Sequence, residues 1–240
     1  MKPIVFVHGF MGGSRQWEEQ RAALGSDFDI VTPDLPGFGE NAHMKAPDSI
    51  TGFAQWVLDD LSARGIGHFH LVGHSMGGMI VQEIVRLAPD RLLKLVLYGT
   101  GATGVLPGRF ETIATSKQRA CADGPRITAR RISATWFLRN ERAAAYESCA
   151  AIAERSSHQA IQAGLDAMQG WSGVSHLPDI KVRTLVIWGE HDRSYSWKQA
   201  EQLWRSIRNA SLAVIPDCAH AVHLEKPQLF NAVLSDFLKQ

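Results

Sequence analysis

The segment Gly73-His74-Ser75-Met76-Gly77 places a serine between two glycines, after an apolar run and before residues with helical periodicity. In this context the Gly-x-Ser-x-Gly pattern is typical of a sharp turn that lifts a serine hydroxyl off the end of a strand. A serine hydroxyl is a weak nucleophile unless a neighbouring base accepts its proton. The pattern predicts nucleophilic catalysis by Ser75, although the same spacing also occurs by chance in loops.

A base and a carboxylate that could serve Ser75 follow later in the chain. Asp192 comes just after an apolar run and is the predicted acid, with Glu190 in the same turn as its competitor. His220 follows the last apolar run and is the predicted base, because it comes first in its loop and can turn back towards the serine. His223 adjoins a helix start, where packing or capping is the alternative. The two histidines lack a further ligand set, so no metal is predicted.

Acyl transfer places negative charge on a carbonyl oxygen, and backbone N–H groups are the expected stabilising donors of this oxyanion hole. Met76 follows the nucleophile and begins a helix, so its N–H is one predicted donor. The other is expected from Phe10, in the glycine-rich segment 8–13. The side chains of Phe10 and Met11 would then face the acyl group. The glycine spacing differs from that of phosphate-binding loops, which argues against a nucleotide site.

These residues must be positioned by alternating strands and helices. Short β-branched runs alternate with segments whose apolar residues are three and four apart. Most of the runs are continuously apolar, which predicts an α/β fold with a parallel sheet of about six strands and helices on both faces. The predicted strands are Ile4–His8, Asp29–Pro33, Phe69–Gly73, Leu93–Tyr98, Thr184–Trp188 and Leu212–Ile215, and the predicted covering helices are Ser49–Arg64, Met76–Leu87, Ser196–Ser206 and Pro227–Lys239.

The segment 101–179 interrupts this alternation. It contains helix-like stretches and no convincing strand. We therefore predict a core made of residues 1–100 and 180–240, with residues 101–179 inserted as a helical lid. The helix-like stretches are Arg109–Ala120, Ile127–Leu138, Ala143–Ala153 and Gln159–Met168.

Composition limits the classes of partner. The chain has 240 residues, of which 45% are hydrophobic and 20% charged, and its formal net charge is +1. This balance is typical of a globular protein and gives no reason to expect nucleic acid or a membrane as partner. The three cysteines are widely spaced and odd in number, which favours reduced thiols. No signal peptide or membrane span is evident, so a cytoplasmic location is expected, and no cofactor is predicted.

With these residues placed, the chain resembles the α/β-hydrolase superfamily, in particular its small, lidded, carboxylesterase-like serine hydrolases. The resemblance implies a lid after the sixth strand of that family's sheet. The chain departs from the family's usual pattern in three ways. The leading hairpin is absent, and Ala219 stands where glycine commonly precedes the histidine. The nucleophile is a serine and not an aspartate, which argues against haloalkane dehalogenases and epoxide hydrolases. The motifs are His8-Gly9-Phe10, Asp34-Leu35-Pro36-Gly37-Phe38-Gly39, Gly73-His74-Ser75-Met76-Gly77-Gly78, Gly189-Glu190-His191-Asp192 and the stretch 220–227.

The lid is the predicted source of specificity. Trp136 and Phe137, with Trp17 and Trp171, could wall an acyl pocket, although aromatic residues more often belong to the core. An excess of basic residues could attract a carboxylate, a phosphopantetheine thioester or an acidic carrier protein, although such a face is usually only solvated. The basic residues are Arg109, Lys117, Arg119, Arg126, Arg130, Arg131, Arg139 and Arg142, set against Glu111, Asp123 and Glu141.

The expected activity is hydrolysis of a small-molecule carboxylic ester, thioester or lactone through an acyl-enzyme. Within the superfamily, the sequence is similar to carboxylesterases of the pimeloyl-carrier-protein methyl ester type. It is also similar to the menaquinone-pathway synthase, a lyase that uses its triad as a base. Carbon–carbon bond hydrolysis is a further alternative, disfavoured by the absence of that subgroup's Gly-Pro-Gly-Ala and Gly-Asn-Ser motifs. The last alternative is a receptor-like member of the superfamily that does not turn over its ligand.

Overall fold

The computed structural model describes residues 1–105 and 111–240, and its centre is one sheet of six parallel strands. This confirms the predicted α/β-hydrolase fold and strand number. The strand order is β2-β1-β3-β4-β5-β6, so the first and third strands lie side by side. The strands are β1 (Pro3–Val7), β2 (Asp29–Val31), β3 (Phe69–His74), β4 (Leu92–Tyr98), β5 (Thr184–Gly189) and β6 (Ala210–Ile215).

Helices cover both faces of the sheet, as continuously apolar strands require. Every residue of β3 is buried, and two apolar clusters occupy the two sides of the sheet. The helices among the described residues are α1 (Glu18–Leu24), α2 (Ile50–Ala63), α3 (Met76–Leu87), α4 (Ile113–Thr135), α5 (Tyr146–Ala153), α6 (His158–Gln169), α7 (Trp197–Ser206), α8 (Val222–Glu225) and α9 (Pro227–Lys239). Over those same residues, no helix has both the length and the apolar character needed to cross a bilayer.

The segment between β4 and β5 contains α4, α5 and α6. The structure gives α4 as a single element that kinks at Gly124 (φ 74°, ψ 170°), ahead of Pro125. The non-helical backbone of Gly124 separates two helices, as expected on either side of this point, because glycine adopts the positive φ and proline starts a new turn. Arg109, where the first of these was expected to begin, lies outside the described residues.

Hydrogen bonds join the two ends of this inserted segment. Thr103 and Ser172 form an antiparallel bridge. The N–H of Gly104 donates to the carbonyl of Trp171 (3.0 Å), and the N–H of Gly173 donates to the carbonyl of Ala102 (2.8 Å). The chain therefore leaves and returns at one narrow neck.

Candidate functional site

Ser75 occupies a strained turn between β3 and α3. Its φ of 56° and ψ of −122° lie in a region that residues with a side chain rarely adopt, and three hydrogen bonds hold it there. The Ser75 N–H donates to the carbonyl of Tyr98 (3.0 Å), while its own carbonyl accepts from the Gly78 N–H (2.8 Å) and the Thr100 hydroxyl (2.8 Å). This conformation holds the side chain at the carboxyl end of the sheet.

Close backbone approach explains the glycines of the motif. A Cβ added to Gly73 would lie 2.5 Å from the carbonyl oxygen of Gly77, and one added to Gly77 would overlap the carbonyl oxygen of Val7. A Cβ on Gly9 would lie 2.9 Å from the Cβ of Ser75. The loop after β1 therefore packs directly against the turn that carries the serine.

Asp192 and His220, one hundred residues and more beyond Ser75 in the chain, meet beside it. The Nδ1 of His220 lies 2.8 Å from Oδ2 of Asp192, and both side chains are buried. The other carboxylate oxygen, Oδ1, accepts the N–H groups of Ser194 (2.7 Å) and Tyr195 (3.1 Å). Because a carboxylate oxygen accepts, His220 donates from Nδ1, which leaves Nε2 as the nitrogen that can accept a proton.

Glu190, the competing acid, is on the surface. Its Oε2 accepts the N–H of Asp217 (3.2 Å), and it lies 3.7 Å from Nε2 of His191. The ligand atoms of Glu190, His191 and Asp217 lie within 4.8 Å of one another, the one such grouping among the residues described. All three are exposed, and exposed acidic groups commonly cluster without an ion.

His223 is buried in the layer beneath the site, where packing was the alternative to catalysis. Its Nδ1 lies 3.0 Å from the hydroxyl of Tyr98, and its ring lies 4.5 Å from that of Trp17. Burial lowers the pKa of His223 to about 3, so it is neutral at physiological pH.

Two further side chains contact the residue that carries the candidate base. The hydroxyl of Tyr98 and the Nε2 of His74 both lie within hydrogen-bond distance of the main-chain oxygen of His220, at 2.7 and 3.2 Å. Sequence analysis assigned neither a role. Both are polar aromatic residues at the last positions of adjacent strands, at the edge where the site of a parallel sheet forms, and this is the signal that could have identified them.

The expected oxyanion donors lie on the two segments that meet at Ser75. Met76 is the first residue of α3, and Phe10 follows Gly9 in the packed loop. His8 holds that loop in place, because its Nε2 accepts the N–H of Leu35 (2.9 Å) while its Nδ1 donates to the carbonyl of Gly9 (2.8 Å). Burial lowers the pKa of His8, which favours this neutral form.

A cavity of about 440 Å³ opens above the serine. Ser75, Asp192 and His220 line it together with Phe10 and residues of the inserted segment. Those residues include the apolar Ile132, Trp136, Ile161, Leu165 and Met168 and the charged Glu111 and Arg131. The volume is that of a small-molecule site, and because most of the lining is apolar it favours an acyl group with apolar surface.

Of the four residues expected to bind substrate, Trp136 lines this cavity and the other three do not. Met11 and Phe137 are fully buried in the core on the lid side, and Trp17 packs in the opposite core layer, 4.9 Å from the ring of Phe6. Trp171 is likewise outside the lining, with its Nε1 3.5 Å from Glu83. Met11, Trp17, Phe137 and Trp171 are instead core residues, because large apolar side chains fill the core more often than they wall a pocket.

Five of the basic residues that the structure describes in 101–179 pair with acids of the same segment. The segment holds nine basic and seven acidic side chains, because Arg155 adds to the basic residues counted above and Glu147, Glu154, Asp166 and Asp179 add to the acids. The ion pairs are Lys117 with Asp166 (2.6 Å), Arg119 with Glu111 (3.2 Å), Arg126 with Glu154 (3.9 Å), Arg130 with Glu147 (2.7 Å) and Glu154 (2.9 Å), and Arg131 with Asp123 (3.7 Å) and Glu111 (3.9 Å).

Comparison with known proteins places this geometry in a family. A profile of the family described as "Alpha/beta hydrolase family" matches residues 4–233, so the chain belongs to it. One relative, from Pseudomonas savastanoi pv. phaseolicola, bears the provisional name carbamate hydrolase RutD and is 28% identical over 98% of this chain and 93% of its own length. Another, a 2-succinyl-6-hydroxy-2,4-cyclohexadiene-1-carboxylate synthase from an Enterobacter species, is 29% identical over 98% and 91%.

Among solved structures, a thermophilic esterase from Thermogutta terrifontis superposes with a TM-score of 0.90 at 25% sequence identity. The match covers 100% of this chain and 90% of the esterase. The core and the inserted segment together therefore follow an arrangement already seen in a hydrolase.

Proposed function

We propose that this member of the α/β hydrolase family cleaves a carboxylic ester, thioester or lactone, with Ser75 as nucleophile, His220 as base and Asp192 as the acid that orients it. The observation that carries the proposal is the buried His220–Asp192 hydrogen bond of 2.8 Å, lining the same cavity as the strained serine. The matched family and the esterase that superposes on this chain support it.

In this mechanism the Oγ of Ser75 attacks the substrate carbonyl carbon while Nε2 of His220 takes its proton. The Asp192 carboxylate stabilises the imidazolium through Nδ1–H. The main-chain N–H groups of Met76 and Phe10 donate to the tetrahedral oxyanion. Collapse breaks the bond to the leaving group, which takes the proton from Nε2. Water then attacks the acyl-serine by the same proton transfers and releases the acid.

The cavity favours a small-molecule acyl group over one carried by a protein. Its lining is mostly apolar, and four of the arginines that would attract an acidic carrier, Arg119, Arg126, Arg130 and Arg131, pair with acids of the inserted segment itself. Paired surface charges provide little long-range attraction.

The test is hydrolysis of short p-nitrophenyl esters by Ser75→Ala. We expect the rate to fall to background with the melting temperature close to that of the unchanged protein. Ser156→Ala is the matched control, because it makes the same change at a buried serine that lies outside the cavity lining. Retention of most of the activity by Ser75→Ala would refute the assignment.

Elimination is a second candidate, favoured by the Enterobacter relative, whose printed name is that of a synthase. A lyase would use the same triad to move a proton and would form no acyl-enzyme. Mass spectrometry of the protein quenched during turnover separates the two, because hydrolysis adds the acyl mass to the peptide containing Ser75. A receptor-like protein would stop after about one turnover.

A further inference from the structure

The main-chain carbonyl of His220 receives two hydrogen bonds that the proposed mechanism does not use. The Tyr98 hydroxyl lies 2.7 Å from this oxygen, and the Nε2 of His74 lies 3.2 Å from it. A carbonyl oxygen has two lone pairs and only accepts, so both groups donate and its capacity is filled. The same residue presents its imidazole to Asp192.

The two donors are rigid. His74 and Tyr98 are register partners at the last positions of β3 and β4, and their rings stack with centroids 4.4 Å apart at 21°. Both side chains are buried. The His74 ring also lies 4.5 Å from that of His220. The two central strands of the sheet therefore hold both donors in place.

The directions of these bonds assign the remaining protons. Because Tyr98 gives its proton to His220, its oxygen accepts from Nδ1 of His223 (3.0 Å) and from the His223 N–H (3.3 Å). His74 donates from Nε2 and therefore carries no proton on Nδ1. Burial lowers the pKa of both His74 and His223, which keeps this neutral arrangement in place near pH 7.

We propose that Tyr98 and His74 are positioning residues that act through the backbone of His220 and hold its imidazole between Asp192 and Ser75. The inference rests on the proposed hydrolytic function. Residues 216–221, which carry His220, have neither strand nor helix structure. Other hydrogen bonds hold the neighbouring residues, since the N–H of Ala219 donates to Glu225 (2.7 Å) and that of Ala221 donates to the carbonyl of Trp136 (2.9 Å). The two strand-end donors add an anchor at His220 itself.

Tyr98→Phe removes the stronger of the two anchors and keeps the ring. We expect kcat for p-nitrophenyl esters to fall about tenfold to a hundredfold, with KM changed less than about twofold, because the loss falls on the base and not on the cavity. The rate of labelling of Ser75 by a fluorophosphonate should fall by the same factor. Tyr146→Phe is the matched control, since its buried hydroxyl contacts the carbonyl of Arg130 in the lid (3.4 Å), and it should change neither rate.

His74 tests the second anchor. His74→Gln keeps a donor on a side chain of similar reach and should retain more kcat than His74→Leu, which has none. Equal losses in the two variants would show that the ring's packing matters and the hydrogen bond does not.

A double-mutant cycle tests whether the effect passes through His220. In a His220→Ala background, Tyr98→Phe should leave the residual rate unchanged; an undiminished loss there would overturn the proposal. The NMR signal of the Nδ1 proton of His220 provides a readout without turnover, and it should broaden or shift in Tyr98→Phe but not in Tyr146→Phe. If the unchanged protein hydrolyses no ester, the proposed function fails while this signal still decides the positioning role.

Discussion

The three hydrogen bonds to Asp192 determine what an asparagine would do in its place. Oδ1 accepts the N–H groups of Ser194 and Tyr195 at 2.7 and 3.1 Å, and Oδ2 faces Nδ1 of His220 at 2.8 Å. In Asp192→Asn the amide oxygen must face the two backbone donors, because the opposite orientation would place an NH₂ group against two N–H groups. The amide nitrogen therefore faces His220 and donates to its Nδ1.

This forces the His220 imidazole to carry its proton on Nε2, where it cannot accept one from Ser75. We expect kcat to fall by about 10⁴-fold, the size of the effect of a wrong histidine tautomer in such a triad, or about 5 kcal/mol in the barrier. KM should change little because the cavity wall is unaltered. The melting temperature should also change little, since the variant keeps the volume and all three hydrogen bonds.

The assay is steady-state hydrolysis of a p-nitrophenyl ester, with circular dichroism to verify folding. Glu190→Gln is the matched control, because it makes the same change to the exposed acid of the same turn and should keep full activity. A folded Asp192→Asn protein that retained more than a tenth of kcat would refute the tautomer argument. Loss of activity in Glu190→Gln alone would make Glu190 the acid.

Three other predictions follow from burial and close contacts. Gly77→Ala should lower the free energy of unfolding by about 3 kcal/mol, since the added Cβ would overlap a main-chain oxygen of β1. Gly67→Ala is the control: its added Cβ has nothing within 4 Å, so the free energy of unfolding should change by less than about 1 kcal/mol. Urea titrations measure both. Burial lowers the pKa of His70 to about 4, so this residue takes up a proton when the protein unfolds below pH 6.5. Its contribution lowers stability as the pH drops from 6.5 to 4, by up to about 1.4 kcal/mol per unit, in the same direction as the contributions of His8, His74 and His223. His70→Leu should therefore reduce the slope of stability against pH by up to that amount, measured in urea titrations at several pH values. Trp136→Ala should shift the preferred acyl length with a small change in melting temperature, because Trp136 lines the cavity. Trp17→Ala should cost about 3–5 kcal/mol of stability without altering that preference, because Trp17 is a buried core residue. The opposite pattern would place Trp17 at the substrate.

Periodicity predicted the sheet well because burial on both faces leaves a continuous apolar signal. All six strands were located to within about two residues. The short helices α1 and α8 were not predicted, since seven and four residues are too few to show a helical period. The break within α4 was predicted, because Gly124-Pro125 interrupts the helical pattern there.

Residue spacing and chain order predicted the candidate reacting residues of the site but not the wall of its cavity. The positions of Asp192 and His220 relative to strand ends led to their pairing, because the carboxyl ends of parallel strands share one edge. The wall of the cavity was not predictable in this way. The sequence does not say that Trp17 packs on the opposite face of the sheet, nor that Phe137 packs into the core and not into the cavity. The anchors on the His220 carbonyl were missed for a related reason: they bond to a backbone atom, which leaves no motif.

Because the hydrogen-bonded neck at Thr103 and Ser172 joins its two ends, the segment between them is a structural unit that can be replaced as a whole. Its two ends emerge at adjacent points, so the piece can be exchanged for the corresponding piece of another member of the family while the six strands, and the backbone that carries the reacting groups, keep their sequence. Chimaeras joined at these two positions would separate what the scaffold contributes to reaction rate from what the transplanted piece contributes to substrate choice.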